Sequence, residues 1–182
     1  QLWMAENLKT TKYRDGSAIP TGHSDSEWDN LSTSATSAYA VYDGNESNAD
    51  TYGYLYNWYT VDDSRGICPE GWHVPSDAEY TILTDYLGGA QCGDKMKEEG
   101  FDHWNSDPYS TTSNESGFTG LPGGRRNYDG SYHSMGSLGY FWSSTVRDFP
   151  LMVYWRLKYD SITVLRGSEG MSRGFSVRCL KD

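Results

Sequence analysis

The sequence predicts an α+β domain in which two short helices pack on one side of a small, twisted antiparallel sheet with long loops. Three observations lead there. Clear helix signals are confined to residues 52–99. From Phe101 onward the chain changes to short β-prone runs separated by glycine-rich turns. With 182 residues, 20 of them glycine and 36 serine or threonine, it suits one loop-rich domain over residues 1–182.

Taken in order, residues 1–8 (QLWMAENL) read as an extended entry segment anchored by Trp3, and Asp15-Gly16 and Pro20 mark turns. Thr21 to Asp50 is rich in Ser, Thr, Asn and Asp, and is expected to form surface loop or short strands outside the core. Tyr52 to Val61 places Leu55, Trp58 and Tyr59 at i, i+3, i+4, which predicts a short amphipathic helix; a strand is the alternative for so aromatic a run. Gly71 to Pro75 is extended and stopped by proline. Ser76 and Glu79 form a capping box ahead of a helix over 77–87, with Ile82, Leu83, Tyr86 and Leu87 as its apolar stripe and Gly88-Gly89 as its stop. Asp94 to Glu99 adds a helical turn. Beyond it, Asp129-Gly130 reads as a hairpin turn and Gly139 to Thr145 as a strand. Val153–Tyr159 and Ile162–Arg166 form a hairpin turned at Asp160-Ser161, and Gly174 to Leu180 alternates as the last strand.

Composition alone raises a flag for disorder: Leu, Ile, Val and Phe total only 28 residues, and the formal charge is −10. Seven Trp and 15 Tyr overturn that reading, since each can bury about 150–250 Å². The core must be aromatic. Charge is uneven: residues 1–120 hold 20 acidic and 6 basic side chains, residues 121–182 hold 5 and 9. The basic third either pairs with the acidic remainder or presents a basic surface to an anionic ligand. An acidic domain of this kind lacks the footprint of a nucleic-acid binder. No stretch reaches the ~20 apolar residues of a membrane-spanning helix. The start at Gln1, with no signal peptide in view, reads as a mature product or a piece of a longer polypeptide.

Cys68, Cys92 and Cys179 match no zinc pattern. They allow one disulfide in three pairings, or three reduced thiols. A Cys68–Cys179 bridge, the pairing favoured here, would close a loop of more than 100 residues, worth about 4–5 kcal/mol in the chain-entropy picture. Standard catalytic signatures are missing, the four histidines are dispersed, and Cys92 has no adjacent base. The acidic doublets Asp62-Asp63 and Glu98-Glu99 read as solvated charge. Asp43 to Asp50 gathers oxygen ligands of the kind calcium takes but lacks EF-hand spacing, so a plain polar loop is favoured and no cofactor is expected.

One segment stands apart. Between Val146 and Met171, large apolar, aromatic and arginine side chains mix without a clean period of two. Trp, Tyr and Arg are enriched at binding hot spots, and a hairpin cannot point all of these residues inward. Arg147, Phe149, Trp155, Arg156, Tyr159 and Arg166 are the candidate ligand-binding residues.

The motifs QLWMAENLKTTKYRDGSAIP, YGYLYNWYTV, CPEGWHVPSDAEYTILTDYLGG, HWNS, NESGFTGLPGGRRNYDG, GYFWSST and GFSVRCLKD span the chain. Together they resemble the Fibrobacter succinogenes major paralogous domain family. That resemblance implies a C-type-lectin-like fold, distantly similar to the formylglycine-generating enzyme domain. It also implies a place at the C-terminal end of secreted or lipid-anchored surface proteins of gut and rumen bacteria. The enzyme's paired active-site cysteines have no counterpart here, since Cys179 alone follows Cys92. The EPN, QPD and WND sugar motifs of calcium-dependent lectins are absent. Related lectin-like folds display diversified side chains on a C-terminal hairpin in variable receptor-binding proteins of phages and bacteria. The family's segment between GYFWSST and GFSVRC is typically rich in Asn and Tyr, and this chain departs from that pattern.

The expectation is therefore a non-enzymatic recognition domain at the bacterial cell surface, or on a phage particle, binding a glycan or a surface protein. Phe149, Trp155 and Tyr159 would be apolar anchors, with Arg156 and Arg166 supplying charge and bidentate hydrogen bonds. The alternatives are a formylglycine-generating-enzyme-like oxidoreductase and a structural module that docks within a surface assembly.

Overall fold

The computed structural model describes residues 1–108 and 110–182. It is α+β, with five short α-helices where two were expected. The first is α1, Asp25–Ser34, inside the segment expected to be loop. Ser24 caps it and Glu27 answers from position N3, so two orphan amide donors are satisfied reciprocally. Trp28 and Leu31 are buried on one side of the helix and form a small cluster with Ala38 and Ala40.

Strand β1 (Tyr39–Ala40) pairs with β2 (Leu55–Tyr56), and α2 (Glu46–Tyr52) lies between them, capped by the side chain of Asn45. Helix α3 is only Trp58–Val61. The helix expected over 52–61 is thus a strand followed by one turn, because Asn57 caps there and its amide also ties Thr36 and Ala38. Strand β3 (Trp72–His73) leads into α4, Asp77–Tyr86, which carries the full Ser76/Glu79 capping box. Tyr80, Leu83 and Thr84 are its buried positions, whereas Ile82 and Tyr86 of the expected stripe are exposed. The apolar face is therefore rotated about one residue toward Tyr80. Helix α5 is Gly93–Met96.

Five strands form the main sheet: β4 (Gly123–Arg126), β5 (Tyr132–Met135), β6 (Leu138–Asp148), β7 (Leu151–Lys158) and β8 (Ser161–Gly170), in the order β5-β4-β6-β7-β8. All neighbours are antiparallel except β4 and β6, which are parallel, so the sheet is mixed rather than purely antiparallel. The last strand, β9, is Leu180–Lys181 and pairs with β3. Residues ahead of it do not alternate as expected. Phe175 to Leu180 are all buried, and the segment bonds to both sides: Phe175 exchanges backbone bonds with Tyr56, and Ser176 with Tyr140 and Trp142.

The sheet is the common wall of two cores. On one face Phe141, Val153, Trp155, Leu157 and Val164 meet Tyr80, Leu83 and Leu87. On the other, Tyr140, Trp142 and Met152 meet Tyr56, Phe175 and Val177. An aromatic core has a polar cost that is met here by backbone carbonyls. The indole N–H groups of Trp28, Trp58, Trp104 and Trp142 donate to Ser172, Ser143, Gly120 and Tyr56 at 2.8–3.0 Å. Cys68 and Cys179 are joined by a disulfide across 111 residues, Cα atoms 6.0 Å apart. Among the described residues no helix is long and apolar enough to cross a membrane.

Candidate functional site

The sequence-derived candidates do not meet in one place. Strand β7 alternates cleanly from Val153: residues 153, 155 and 157 are buried against α4, while 154, 156 and 158 are half-buried on the opposite face. Trp155 is therefore core, not a ligand anchor. It is 7% exposed, stacks on Tyr80 at 5.6 Å and donates its indole N–H to Asp77 at 3.1 Å. Arg166, its cross-strand neighbour, grips the same carboxylate with two bonds of 2.7 Å, so its charge is already answered. Arg147 and Phe149 lie at the β6–β7 tip, where Phe149 is 79% exposed. Tyr159 lies at the far end of β7, roughly 25 Å away by strand rise. Its N–H donates to Ser137, and its carbonyl accepts from Lys97. Arg156 alone faces the other side of the sheet, the side of the main core, and is half-buried there beyond Tyr140, Trp142 and Met152.

On that side a row of residues crosses all five strands. Arg125 pairs with His133, Tyr140 with Arg156, and Arg156 with Leu165; the Gly124–Gly139 pairing sets Arg125 beside Tyr140. Alternation explains why Arg125 is here and Arg126 is not. Arg126 points the other way, is buried, and lies 4.4 Å from the Trp28 ring centroid and 4.9 Å from that of Tyr132. Arg125 leans over the Tyr140 ring, 5.4 Å from its centroid, and reaches the Tyr140 hydroxyl at 3.4 Å. Tyr154 lies next to the row, its ring 5.6 Å from Tyr140 and 5.1 Å from Phe175. Gly167 makes room for it, since a Cβ there would come within 2.5 Å of the Tyr154 ring. Burial raises the Tyr154 phenol above its ordinary pKa, against the opposing pull of Arg156.

The Nε atoms of Arg125 and Arg156 are shut off from water and have no hydrogen-bond partner. An unmade bond of this kind costs about 1–3 kcal/mol. Glu169, an acid on the same face, is held by Arg173 at 2.7 Å. Sequence reasoning missed Arg125, Tyr140 and Tyr154. The period-two spacing groups Tyr154 with Arg156 on one face of β7, but which face, and its meeting with Arg125 and Tyr140, depends on strands distant in sequence.

Several ionisable groups elsewhere are already paired, although the Tyr13 and Tyr80 hydroxyls and His23 Nε2 are also buried without a hydrogen-bond partner. His73 sits between Asp182 (2.7 Å) and Glu79 (2.9 Å). Buried Lys97 is neutralised by Asp94 at 2.9 Å. The Arg178 guanidinium is wholly buried, bonds to Asn7 and to the carbonyls of Met4, Phe118 and Thr119, and its pKa is lowered by burial to about 10. Cys92 is buried against Met96, and burial pushes its thiol up. Residues 43–50 fold into a turn and the start of α2, and no group of three or more His, Cys, Asp or Glu able to hold a metal ion occurs among the described residues. A groove of about 630 Å³ lies instead between α4 and the N-terminal segment, lined by Leu2, Trp3, Ile82, Tyr86 and Phe118. Two of its polar side chains are already engaged, Gln1 on the Glu79 carbonyl and Ser116 on that of Lys95.

A mixed α+β domain with two aromatic cores and a half-buried pair of arginines on its main sheet is the class of protein that these features define. The chain belongs to the Fibrobacter succinogenes major domain family, whose profile it matches over residues 1–181, a bacterial family of unknown function. No curated protein and no solved structure shows significant similarity to it.

Proposed function

We propose that this is a non-enzymatic recognition domain of C-type-lectin-like architecture at a bacterial outer surface. In this reading it holds a glycan or surface-protein ligand against the half-buried arginine pair and exposed Leu165 of its main sheet. The row His133, Arg125, Tyr140, Arg156 and Leu165 carries the reading. It combines charge and an exposed aliphatic side chain on rigid strands, anchored by the buried Tyr140, and strand pairing fixes the spacing of each group. The β6–β7 tip, with Phe149 exposed, rims the sheet and is secondary.

The test is capture on an array of glycans and bacterial surface proteins. The domain is compared with Arg156→Ala and Leu165→Ala on the face, and with Phe149→Ala at the tip. Both face variants are expected to lose at least tenfold in affinity for any captured ligand, and Phe149→Ala to keep it within about threefold. Retained binding in both face variants moves the site off the sheet.

A further inference from the structure

From the two arginines we infer the chemistry of the ligand: an oxyanion, carboxylate or sulfate, carried on a sugar and gripped jointly by Arg125 and Arg156. The inference rests on the proposed arginine row being the ligand site.

The charge pattern is the first support. Ten surplus negative charges leave this chain rich in carboxylates, and most basic side chains have taken one. Arg65, Arg126, Arg147, Arg166 and Arg173, with Lys9, Lys95, Lys97 and Lys158, each lie within 4.0 Å of an acid. Among the described residues Arg125 and Arg156 have no such partner, like Lys12, Arg14, Arg178 and Lys181, but Arg14 and Arg178 are held by backbone carbonyls and the two lysines lie elsewhere. Arg125 and Arg156 nevertheless stand one strand apart on either side of Tyr140. Two like charges on one half-buried face repel each other and raise the local positive potential. An anion between them reverses both effects.

Donor supply is the second support. Each guanidinium keeps an Nε–H with no acceptor. Arg125 makes one bond, to the Tyr140 hydroxyl. The planar fork of arginine matches a carboxylate or sulfate with two parallel bonds. Strands β4 and β7 are separated by β6 alone, so their backbones are about 10 Å apart, and both side chains can reach one oxyanion held between them beside half-buried Tyr154. His133 at the end of the row bonds to Ser131, Lys158 is paired with Asp160, and Glu169 is occupied by Arg173. None of these neutralises the pair.

The site's position in the sheet favours a sugar over an acidic peptide. Strands β4, β6 and β7 are interior and paired on both edges, so no backbone edge is offered for an added strand. Recognition is left to side chains. Tyr154 and the 42%-exposed Leu165 supply flat apolar surface for a ring face.

The test uses the whole domain, with arginine Nε–Hε resonances followed by NMR. Arg125→Lys and Arg156→Lys assign the two signals. Glucuronate and glucose 6-sulfate are titrated separately, with glucose as the neutral control and penta-aspartate as the peptide control. The expected result is movement of the Arg125 and Arg156 signals with at least one acidic sugar and none with glucose, while those of Arg126 and Arg178 stay fixed. Which acidic sugar acts decides between carboxylate and sulfate. Either lysine variant should weaken that binding about tenfold. Still signals with both acidic sugars, or movement with penta-aspartate alone, overturn the inference. If the signals are still but the array shows capture through Arg156 and Leu165, the recognition face stands and only the oxyanion falls.

Discussion

His73 shows how a single side chain joins distant parts of this chain. Its ring bridges Glu79, at the N-terminal turn of α4, and Asp182, beside the β3–β9 pair. Burial works against its charge, but the bonds to Asp182 and Glu79 prevail and hold its pKa above the ordinary 6.5. A pKa raised on folding stabilises the protein fully below the unfolded value and ceases to do so as pH climbs past the folded one. Glu79 behaves oppositely: burial raises its pKa, yet its Ser76 and His73 contacts leave it below 4.5, so its contribution fades as pH falls through that lowered value. His73→Gln should therefore lower Tm most near pH 5.5 and progressively less above about pH 7. All three groups are partly exposed, so the effect should stay under about 1 kcal/mol. Thermal melts of both proteins between pH 5 and 9 would settle it; a pH-independent gap contradicts the assignment.

At the scale of elements, local chemistry was legible wherever it acted alone. The Ser76/Glu79 box and the hairpin over Val153–Arg166 could be read because their determinants lie within a few residues. Helix α1 was equally readable in principle, since Ser24 and Glu27 form the same box. It was hidden because only Trp28 and Leu31 follow as apolar residues and the surroundings are polar. Ser24→Ala should cost about 1 kcal/mol and lower Tm by roughly 2–4 °C, read by calorimetry. An unchanged Tm would mean that Trp28 packing alone holds the helix. The faces of β7 and α4 were not legible, because they depend on partners distant in sequence. Asp77 draws Trp155 and Arg166 to the α4 side, and the closing segment covers the other face. The candidate site was visible only as a region rich in arginine and aromatics, since Arg125 enters it from another strand pair.

For the molecule as a whole, the shared sheet ties both cores into one unit, with Phe141 and Trp142 on opposite faces of one strand. The disulfide adds a covalent tie from the loop before β3 to the closing segment. Replacing both bridging cysteines by alanine should cost about 4–5 kcal/mol, given the length of the closed loop. Urea denaturation measures it. A loss below about 1 kcal/mol would show that the two cores already confine the unlinked chain.

The closing segment also sets an order of events during synthesis. Residues 174–180 lie between the two cores and contribute to the main one, yet they leave the ribosome after every other part of the domain that they touch. Until then Tyr56, Tyr140 and Trp142 lack their backbone partners and Cys68 lacks its sulfur partner. The nascent domain must therefore wait, its aromatic surfaces open to water and to neighbouring chains, and finish folding only when its last seven or eight residues arrive.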